Sequence, residues 1–211
     1  MKLYSYFRSS SAYRVRIALN HKQISYEYVP VHLLKDGGEQ KTSAYSKINS
    51  KNEVPVLEDK NVRLSQSVAI FLYLDRANIN NPLFPKTFPD FEKCFELVEL
   101  INSGIQPLQN LSLLQKFKAD FSITDEQKVN WIKDIIRKGL LAFNAKISTE
   151  GPYCMGTELT AADMFLIPQL YNAHRYDIDF SGLERLLQIE RTCLMLDSFK
   201  TAHPDVQPDS V

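Results

Sequence analysis

The sequence predicts an α/β domain followed by an all-α domain, and three observations lead to this interpretation. Over residues 1–77, short runs typical of strands alternate with runs typical of helices. Residues 78–89 are then dense in asparagine and proline, and proline inside a helix removes a hydrogen bond and clashes with the preceding turn. Beyond them the apolar spacing is helical almost throughout. We therefore place the domains at 1–80 and 90–211, joined by a proline-rich linker at 81–89.

The first domain is predicted to have the order β-α-β-β-β-α. Segments Ser9–Ser11 and Ser65–Ser67 each precede an apolar run with helical spacing, and hydroxyl side chains at such a place signal a helix N-terminus. The first β-α-β unit predicts two parallel strands, because parallel neighbours need a crossover connection. Runs rich in β-formers predict strands at residues 2–6, 25–31, 54–57 and 61–64.

The second domain is predicted to be a bundle of about five helices. The segment Thr124–Gln127 has the spacing of a capping box, in which each of two side chains bonds the backbone N–H of the other residue. Apolar residues then recur every three or four positions, which predicts one long amphipathic helix, weakened at Gly139. Thr160–Asp163 opens another helix in the same way, and residues 183–196 form a further amphipathic run.

Composition and charge argue against several function classes. The chain has 211 residues, and its 25 Lys and Arg balance its 25 Asp and Glu. A nucleic-acid partner is not expected, because such proteins need a basic face. A membrane partner is not expected either, since no apolar run approaches the roughly 18 residues of a membrane span, and without a signal-peptide layout we expect a cytoplasmic location. Cys94, Cys154 and Cys193 are isolated and the histidines are scattered, so no metal site is predicted.

Two longer motifs resemble a known family. Residues 9–19 read S-S-S-A-Y-R-V-R-I-A-L, similar to the S-S-C-x-W-R-V-R-I-A-L signature of the zeta-class glutathione transferases, the family of maleylacetoacetate isomerase. Residues 104–112, G-I-Q-P-L-Q-N-L-S, resemble the same family, and the match continues in Val54-Pro55, Gln66-Ser67 and Gln207–Asp209. The resemblance implies a thioredoxin-like glutathione-binding domain, an all-helical substrate domain, a homodimer, and glutathione as the cofactor.

The serines between the first strand and the first helix have a chemical role in this interpretation. A helix N-terminus carries about half a positive charge and N–H groups without intrahelical partners. A thiol facing a hydroxyl donor there would have a lowered pKa and would ionise near neutral pH. No cysteine lies in this segment, so the thiol must come from a ligand, and glutathione supplies one. Ser9 and Ser10 are therefore the candidate catalytic residues, with Ser9 stabilising the thiolate.

The resemblance also assigns binding residues. It implies a cis proline after Val54, which would turn the Val54 N–H and C=O towards the cysteinyl backbone of glutathione. Ser67 opens a helix whose N-terminus would face the γ-glutamyl carboxylate. Arg175 is implied to hold a carboxylate of the substrate. The residues assigned to glutathione are Ser9, Ser10, Ser11, Arg14, Gln40, Val54, Gln66, Ser67, Gln106, Asn110, Leu111 and Ser112.

Some positions leave questions open or depart from the family pattern. Arg14 and Arg16 lie two positions apart and therefore on different helix faces, so the sequence does not say which one faces the site. Ser11 replaces the usual cysteine of the signature, which puts the range of substrates in question. Glu53 replaces the usual glutamine before Val-Pro, and its negative charge is expected to weaken the affinity for a ligand with two carboxylates.

The resemblance implies a glutathione-dependent isomerase that converts maleylacetoacetate to fumarylacetoacetate by thiolate addition, bond rotation and elimination. The partner is thus a small acidic molecule. Two alternatives use the same site: isomerisation of maleylpyruvate, or transferase chemistry on small α-haloacids. A third alternative is a transferase-like fold that serves only for interaction and has no catalytic activity.

Overall fold

The computed structural model describes residues 1–210, and the chain divides into two compact units. The first unit comprises Met1–Leu83 and the C-terminal residues from Leu194, and the second comprises Phe84–Cys193. The boundary after Leu83 falls within the segment predicted as a linker. The C-terminal residues, which the sequence analysis assigned to the helical domain, belong instead to the first unit.

A four-stranded mixed sheet forms the centre of the first unit, with the strand order β2-β1-β3-β4. The pair β1–β2 is parallel, as the predicted crossover requires, whereas β3 pairs antiparallel with both β1 and β4. Leu3 lies opposite Tyr28 on one side and Leu57 on the other. The strands are β1 Lys2–Ser5, β2 Glu27–Pro30, β3 Val56–Asp59 and β4 Val62–Ser65.

Three α-helices lie between or after the strands within residues 1–83: α1 Ser10–His21, α2 Ser43–Ser46 and α3 Ser67–Ala77. Helices α1 and α3 begin at the two hydroxyl-rich segments, as predicted, and pack against each other. The one-turn helix α2 was not predicted, because four residues carry no detectable periodicity. The side chain of Lys22, just beyond α1, is buried, and its Nζ forms an ion pair with Asp75 of α3 at 2.9 Å.

The second unit contains five α-helices within the described residues, in agreement with the prediction. The capping boxes predicted at Thr124 and at Thr160 are both present, at the starts of the third and fourth of these helices. The helices are α4 Asp90–Asn102, α5 Leu111–Phe121, α6 Asp125–Asn144, α7 Ala161–Arg175 and α8 Glu184–Leu194. Helix α4 packs against α6 and α7, and a 3-10 turn at Gln106–Gln109 packs against α4, α5 and α6.

Gly139 in α6 is explained by a close packing contact. A Cβ atom added at this position would lie 2.3 Å from Cγ1 of the buried Ile105. We expect Gly139→Ala to lower the free energy of unfolding by up to about 2 kcal/mol, because overpacking costs about 1–3 kcal/mol and helix propensity returns only about 1 kcal/mol. Urea denaturation measures this, with Asn130→Ala on the exposed face of α6 as the control. A Gly139→Ala protein more stable than wild type would contradict the packing argument.

The C-terminal segment packs on the first unit through polar contacts. After α8 it forms a short helix, α9 Asp197–Lys200, which contacts α1. The Nε of Arg16 donates to the carbonyl oxygen of Ala202 at 3.0 Å, and Nδ2 of Asn20 donates to Oγ1 of Thr201 at 2.9 Å. These long-range contacts join residues far apart in the chain, so helical periodicity alone could not assign the segment to its unit.

The three cysteines are free and buried, as expected for small apolar side chains in the interior. Burial raises the pKa of the Cys94 thiol to about 11, and it also raises the pKa values of Cys154 and Cys193. None of them is therefore a thiolate near neutral pH. Among residues 1–210, every helix is too short or too polar to span a bilayer. The same residues contain no group of three or more His, Cys, Asp or Glu that could hold a metal ion.

Candidate active site

The turn between β1 and α1 presents Ser9 as the N-cap of the helix. The Ser9 N–H donates to the Tyr6 carbonyl at 3.0 Å, and Ser9 Oγ accepts from the Ala12 N–H at 3.2 Å. Because Oγ acts as an acceptor in this cap, the hydroxyl proton remains available for donation to a ligand. Ser10 and Ser11 follow as the first two residues of α1, where backbone N–H groups have no partner within the helix.

Arg16 stabilises the turn between β1 and α1 through hydrogen bonds. Its side chain is fully buried, and its Nη1 donates to Ser5 Oγ at 3.2 Å, while Nη2 donates to the Phe7 carbonyl at 3.0 Å. Burial lowers the pKa of the guanidinium from its ordinary value, which still leaves an arginine protonated at neutral pH. The Arg16 side chain is therefore occupied by backbone and hydroxyl oxygens around the turn.

Arg14 reaches the other predicted anion site. It is also fully buried, and its Nη1 donates to Ser67 Oγ at 3.2 Å, joining α1 to the first residue of α3. Of the two arginines, Arg14 is thus the one that contacts the Gln66-Ser67 motif. Gln66, the N-cap of α3, has φ 72° and ψ 113°, a conformation that L-residues rarely adopt. Such strain is typical of functional sites, where the surrounding structure holds it in place.

Val54, just before β3, has backbone groups without a hydrogen-bond partner among the described residues. The Val54–Pro55 peptide bond is cis, as the resemblance implies. Within residues 1–210, neither the N–H nor the C=O of Val54 forms a hydrogen bond. Both groups can therefore pair with a peptide-like ligand in the manner of an added strand.

Gln40 places a buried side-chain amide in the candidate site. Its Nε2 donates to the Leu33 carbonyl at 3.2 Å, whereas its Oε1 has no hydrogen-bond partner among the described residues. Gly38 allows this packing, because a Cβ atom there would lie 2.6 Å from Gln40 Nε2. A buried acceptor without a partner is costly unless a ligand or water satisfies it.

These groups fit glutathione, a peptide with one thiol and two carboxylates. The Val54 backbone and the Gln40 amide suit its peptide groups, and the start of α3 with Ser67 and Arg14 suits a carboxylate. The start of α1 with Ser9 suits the thiolate. Glutathione would thus be held by residues of the first unit through groups that match its chemistry one by one.

The remaining predicted residues lie in the second unit. Gln106 begins the 3-10 turn before α5, Asn110 is the N-cap of α5, and Leu111 and Ser112 are the first two residues of that helix. These four positions follow one another on a single short segment, and the polar ones are at least partly exposed.

Arg175 ends α7 and is exposed. Its Nη1 donates to Asn172 Oδ1 at 3.3 Å, and its guanidinium lies over the rings of Tyr171 and Tyr176. An arginine carries five N–H donors in a planar fork, which suits bidentate binding of a carboxylate. Its position is therefore compatible with the role that the resemblance implies.

A buried amide pair in the second unit was missed in the sequence analysis. Gln109 Nε2 donates to Gln169 Oε1 at 2.6 Å, and Gln169 is fully buried. Gln109 Oε1 and Gln169 Nε2 have no hydrogen-bond partner in the described part of the chain. Gln109 lies in the motif at residues 104–112 that carries the family resemblance, which is the signal that could have identified it.

The charge of Glu53 is partly balanced. Its carboxylate forms an ion pair with Lys51 at 3.0 Å, and its backbone carbonyl accepts from Tyr45 Oη and Asn49 Nδ2. The pair is partly exposed, and such pairs contribute about 0–1 kcal/mol. Glu53 thus contributes a backbone carbonyl to the local fold and carries a charge that Lys51 moderates.

The contact between Arg14 and Ser67 leads to a prediction for ligand binding. We expect Ser67→Ala to weaken glutathione binding by about 1–2 kcal/mol, roughly a 5- to 30-fold higher Kd. The reason is that the Ser67 hydroxyl can no longer form a hydrogen bond with the glutathione carboxylate assigned to the start of α3. Isothermal calorimetry measures the Kd, and Ser65→Ala at the end of β4 is the matched control. An unchanged Kd in the Ser67 variant would remove this hydroxyl from the site.

Comparison with known proteins shows similarity over nearly the whole chain. Residues 1–76 match the family model of the glutathione S-transferase N-terminal domain. The chain is 41% identical to the probable maleylacetoacetate isomerase 2 of Drosophila melanogaster, over 98% of this chain and 89% of that protein.

Two solved structures have the same fold over their full length. One is a holo maleylpyruvate isomerase, described as a bacterial glutathione S-transferase of the zeta class, with a TM-score of 0.95, 31% identity and 100% of both chains covered. The other is the maleylacetoacetate isomerase of Methylobacterium extorquens AM1 with bound malonate and glutathione, with a TM-score of 0.95, 29% identity and 100% of both chains covered. On this evidence the chain belongs to the zeta-class glutathione transferases, the family that includes the maleylacetoacetate isomerases.

Proposed function

We propose that the chain catalyses the glutathione-dependent cis–trans isomerisation of maleylacetoacetate to fumarylacetoacetate. The observation that carries this proposal is the start of α1, where the Ser9 hydroxyl and the N–H groups of the first turn lie together and no protein thiol is present. We assign glutathione to the first unit and a carboxylate of the acidic substrate to Arg175 in the helical unit. The relative with bound malonate, a small dicarboxylate, and glutathione supports this pairing of ligands.

Glutathione, when bound, supplies a thiolate that adds to the cis double bond, allows rotation about the resulting single bond, and leaves again. Ser9 donates its hydroxyl proton in a hydrogen bond to the sulfur and so favours the charged form of the thiol. The N–H groups of Ser10 and Ser11 are available to the negative charge that develops on the substrate carbonyl oxygen. Arg175 holds one end of the substrate while the other end turns.

Maleylpyruvate is the second candidate substrate. It is favoured by the similarity to the maleylpyruvate isomerase, whose TM-score equals that of the maleylacetoacetate isomerase and whose identity is slightly higher. Both substrates carry a carboxylate and a cis double bond conjugated to a carbonyl, so the same chain residues serve both. The ratio of kcat/KM values decides between them.

Steady-state rates test the proposal. The wild-type protein is assayed with maleylacetoacetate, maleylpyruvate and a small α-haloacid, each with glutathione, without it, and with S-methylglutathione, which lacks a free thiol. We expect isomerisation only with glutathione, and the highest kcat/KM with maleylacetoacetate. Turnover without glutathione would contradict the mechanism. Glutathione binding without turnover of any substrate would favour a non-catalytic interaction protein.

We further propose that the protein is a cytoplasmic homodimer. The three cysteines support the location, because free, unpaired thiols are typical of proteins in a reducing compartment. The dimer is implied by the resemblance to the family. Sedimentation equilibrium measures the assembly, and a mass of 24.3 kDa at micromolar concentration would contradict the dimer, because that is the mass of one chain.

A further inference from the structure

The carboxylate of Asp209, near the C-terminus, binds the turn that carries Ser9. Its Oδ2 accepts from the backbone N–H of Phe7 at 3.1 Å, two residues before Ser9. Its Oδ1 accepts from the Tyr28 hydroxyl at 2.6 Å. Burial raises the pKa of Tyr28, and the hydrogen bond to Asp209 raises it further, so this hydroxyl stays protonated and remains a donor. Both oxygens of Asp209 are thus engaged within the first unit.

The C-terminal turn is built to hold Asp209 in place. Gln207 is buried, and its Nε2 donates to the carbonyls of Thr201 and His203 at 3.0 and 2.8 Å. The Ser210 N–H donates to the Gln207 carbonyl at 3.0 Å, which closes a turn around Asp209. The position of the carboxylate therefore follows from a set of local hydrogen bonds, although the chain end lies far from the turn in sequence.

Two oppositely charged side chains, those of Asp209 and Arg16, bind the backbone N–H and C=O of Phe7. Asp209 accepts from its N–H, while Arg16 donates to its carbonyl at 3.0 Å and to Ser5 Oγ. Two ionisable side chains on neighbouring elements interact with Asp209: Arg16, on α1, and Tyr28, on β2. The turn continues directly to Ser9, whose N–H donates to the Tyr6 carbonyl. A shift of Phe7 would therefore move the Ser9 backbone and its hydroxyl.

We propose that Asp209 is a positioning residue for Ser9, which holds the serine hydroxyl where it stabilises the thiolate of glutathione. The proposal rests on the proposed function, because Ser9 has this task only if a thiolate is bound. Asp209 itself touches neither glutathione nor substrate in this account. It acts through the backbone of Phe7. Its loss should therefore change kcat and the pH dependence of kcat in the same direction as Ser9→Ala, but by less.

The experiment compares Asp209→Asn with wild type, and Asp205→Asn is the matched control, since Asp205 is an exposed aspartate of the same segment. Asparagine removes the negative charge and one of the two acceptor oxygens, so the hydrogen bonds to Phe7 N–H and Tyr28 Oη lose their charge assistance and compete for one acceptor. We expect kcat at neutral pH to fall about tenfold and the midpoint of its rise with pH to move up by about one unit. The KM for the acidic substrate should stay within about twofold, because substrate binding is assigned to Arg175. Amide exchange at Phe7 should become faster.

The outcomes separate this proposal from the proposed function. A folded Asp209→Asn protein with the wild-type pH midpoint overturns the positioning role and leaves the proposed function intact. A wild-type protein without glutathione-dependent turnover overturns both. If Asp209→Asn does not fold, Asp209→Glu takes its place, because it keeps the charge and both acceptors but displaces them by one methylene. An unchanged midpoint in that variant likewise overturns the proposal, and a raised midpoint supports it.

Discussion

Replacing Ser9 by alanine is expected to lower kcat at neutral pH by about 10- to 100-fold, the equivalent of losing one charge-assisted hydrogen bond of about 1.5–3 kcal/mol. The Ser9 hydroxyl caps α1 through Ala12 and keeps its own proton for the thiolate. Without it, the thiol pKa rises and less thiolate forms near pH 7. The loss should be partly recovered at higher pH, where the thiolate forms without help. The pH profile of kcat measures this.

The neighbouring serines provide the controls for this variant. Ser9→Ala also removes a helix cap worth about 0.5–2 kcal/mol, so the free energy of unfolding must be measured beside the activity. Ser9→Thr keeps both the cap and the donor and should retain most of the activity. If Ser10→Ala or Ser11→Ala raises the pH midpoint and Ser9→Ala does not, the wrong serine has been assigned.

Replacing Arg16 by methionine is expected to lower the free energy of unfolding by about 3–5 kcal/mol, because buried oxygens lose the donors that satisfy them. The guanidinium joins the turn after β1 to the C-terminal segment, through the carbonyls of Phe7 and Ala202. Lysine should not restore the stability, since a single ammonium cannot reproduce the planar fork.

Urea denaturation measures the effect of the Arg16 variant. The control is Arg76→Met in the exposed last turn of α3, where the change should stay within about 1 kcal/mol. A loss below about 1 kcal/mol in Arg16→Met would mean that these hydrogen bonds contribute little.

Elements with a local signal were predictable from the sequence. Each strand of the sheet has a short β-rich run, and α1 and α3 begin at hydroxyl-rich segments. The capping box at Thr124 is formed by residues three positions apart, so its spacing is sufficient to predict it. The one-turn helix at Ser43–Ser46 has no such pattern, and it was missed.

Features that depend on contacts between distant residues were not predictable. Arg14 and Arg16 have the same chemistry and lie two positions apart, and only packing shows that Arg14 reaches Ser67 while Arg16 binds the turn. The strained backbone of Gln66 also carries no sequence signal, since glutamine is not a residue that favours positive φ. Asp209 lies 202 positions from Phe7, and no local pattern relates them.

The pKa of the glutathione thiol bound to the wild-type protein shows whether the start of α1 stabilises a thiolate. The start of α1 and the Ser9 hydroxyl should favour the thiolate, so titration of its ultraviolet absorbance should give a pKa clearly below that of an unperturbed cysteine thiol, about 8.5. The same titration with Ser9→Ala should return most of the way to that value. A bound thiol with an unchanged or raised pKa in the wild-type protein would contradict the account.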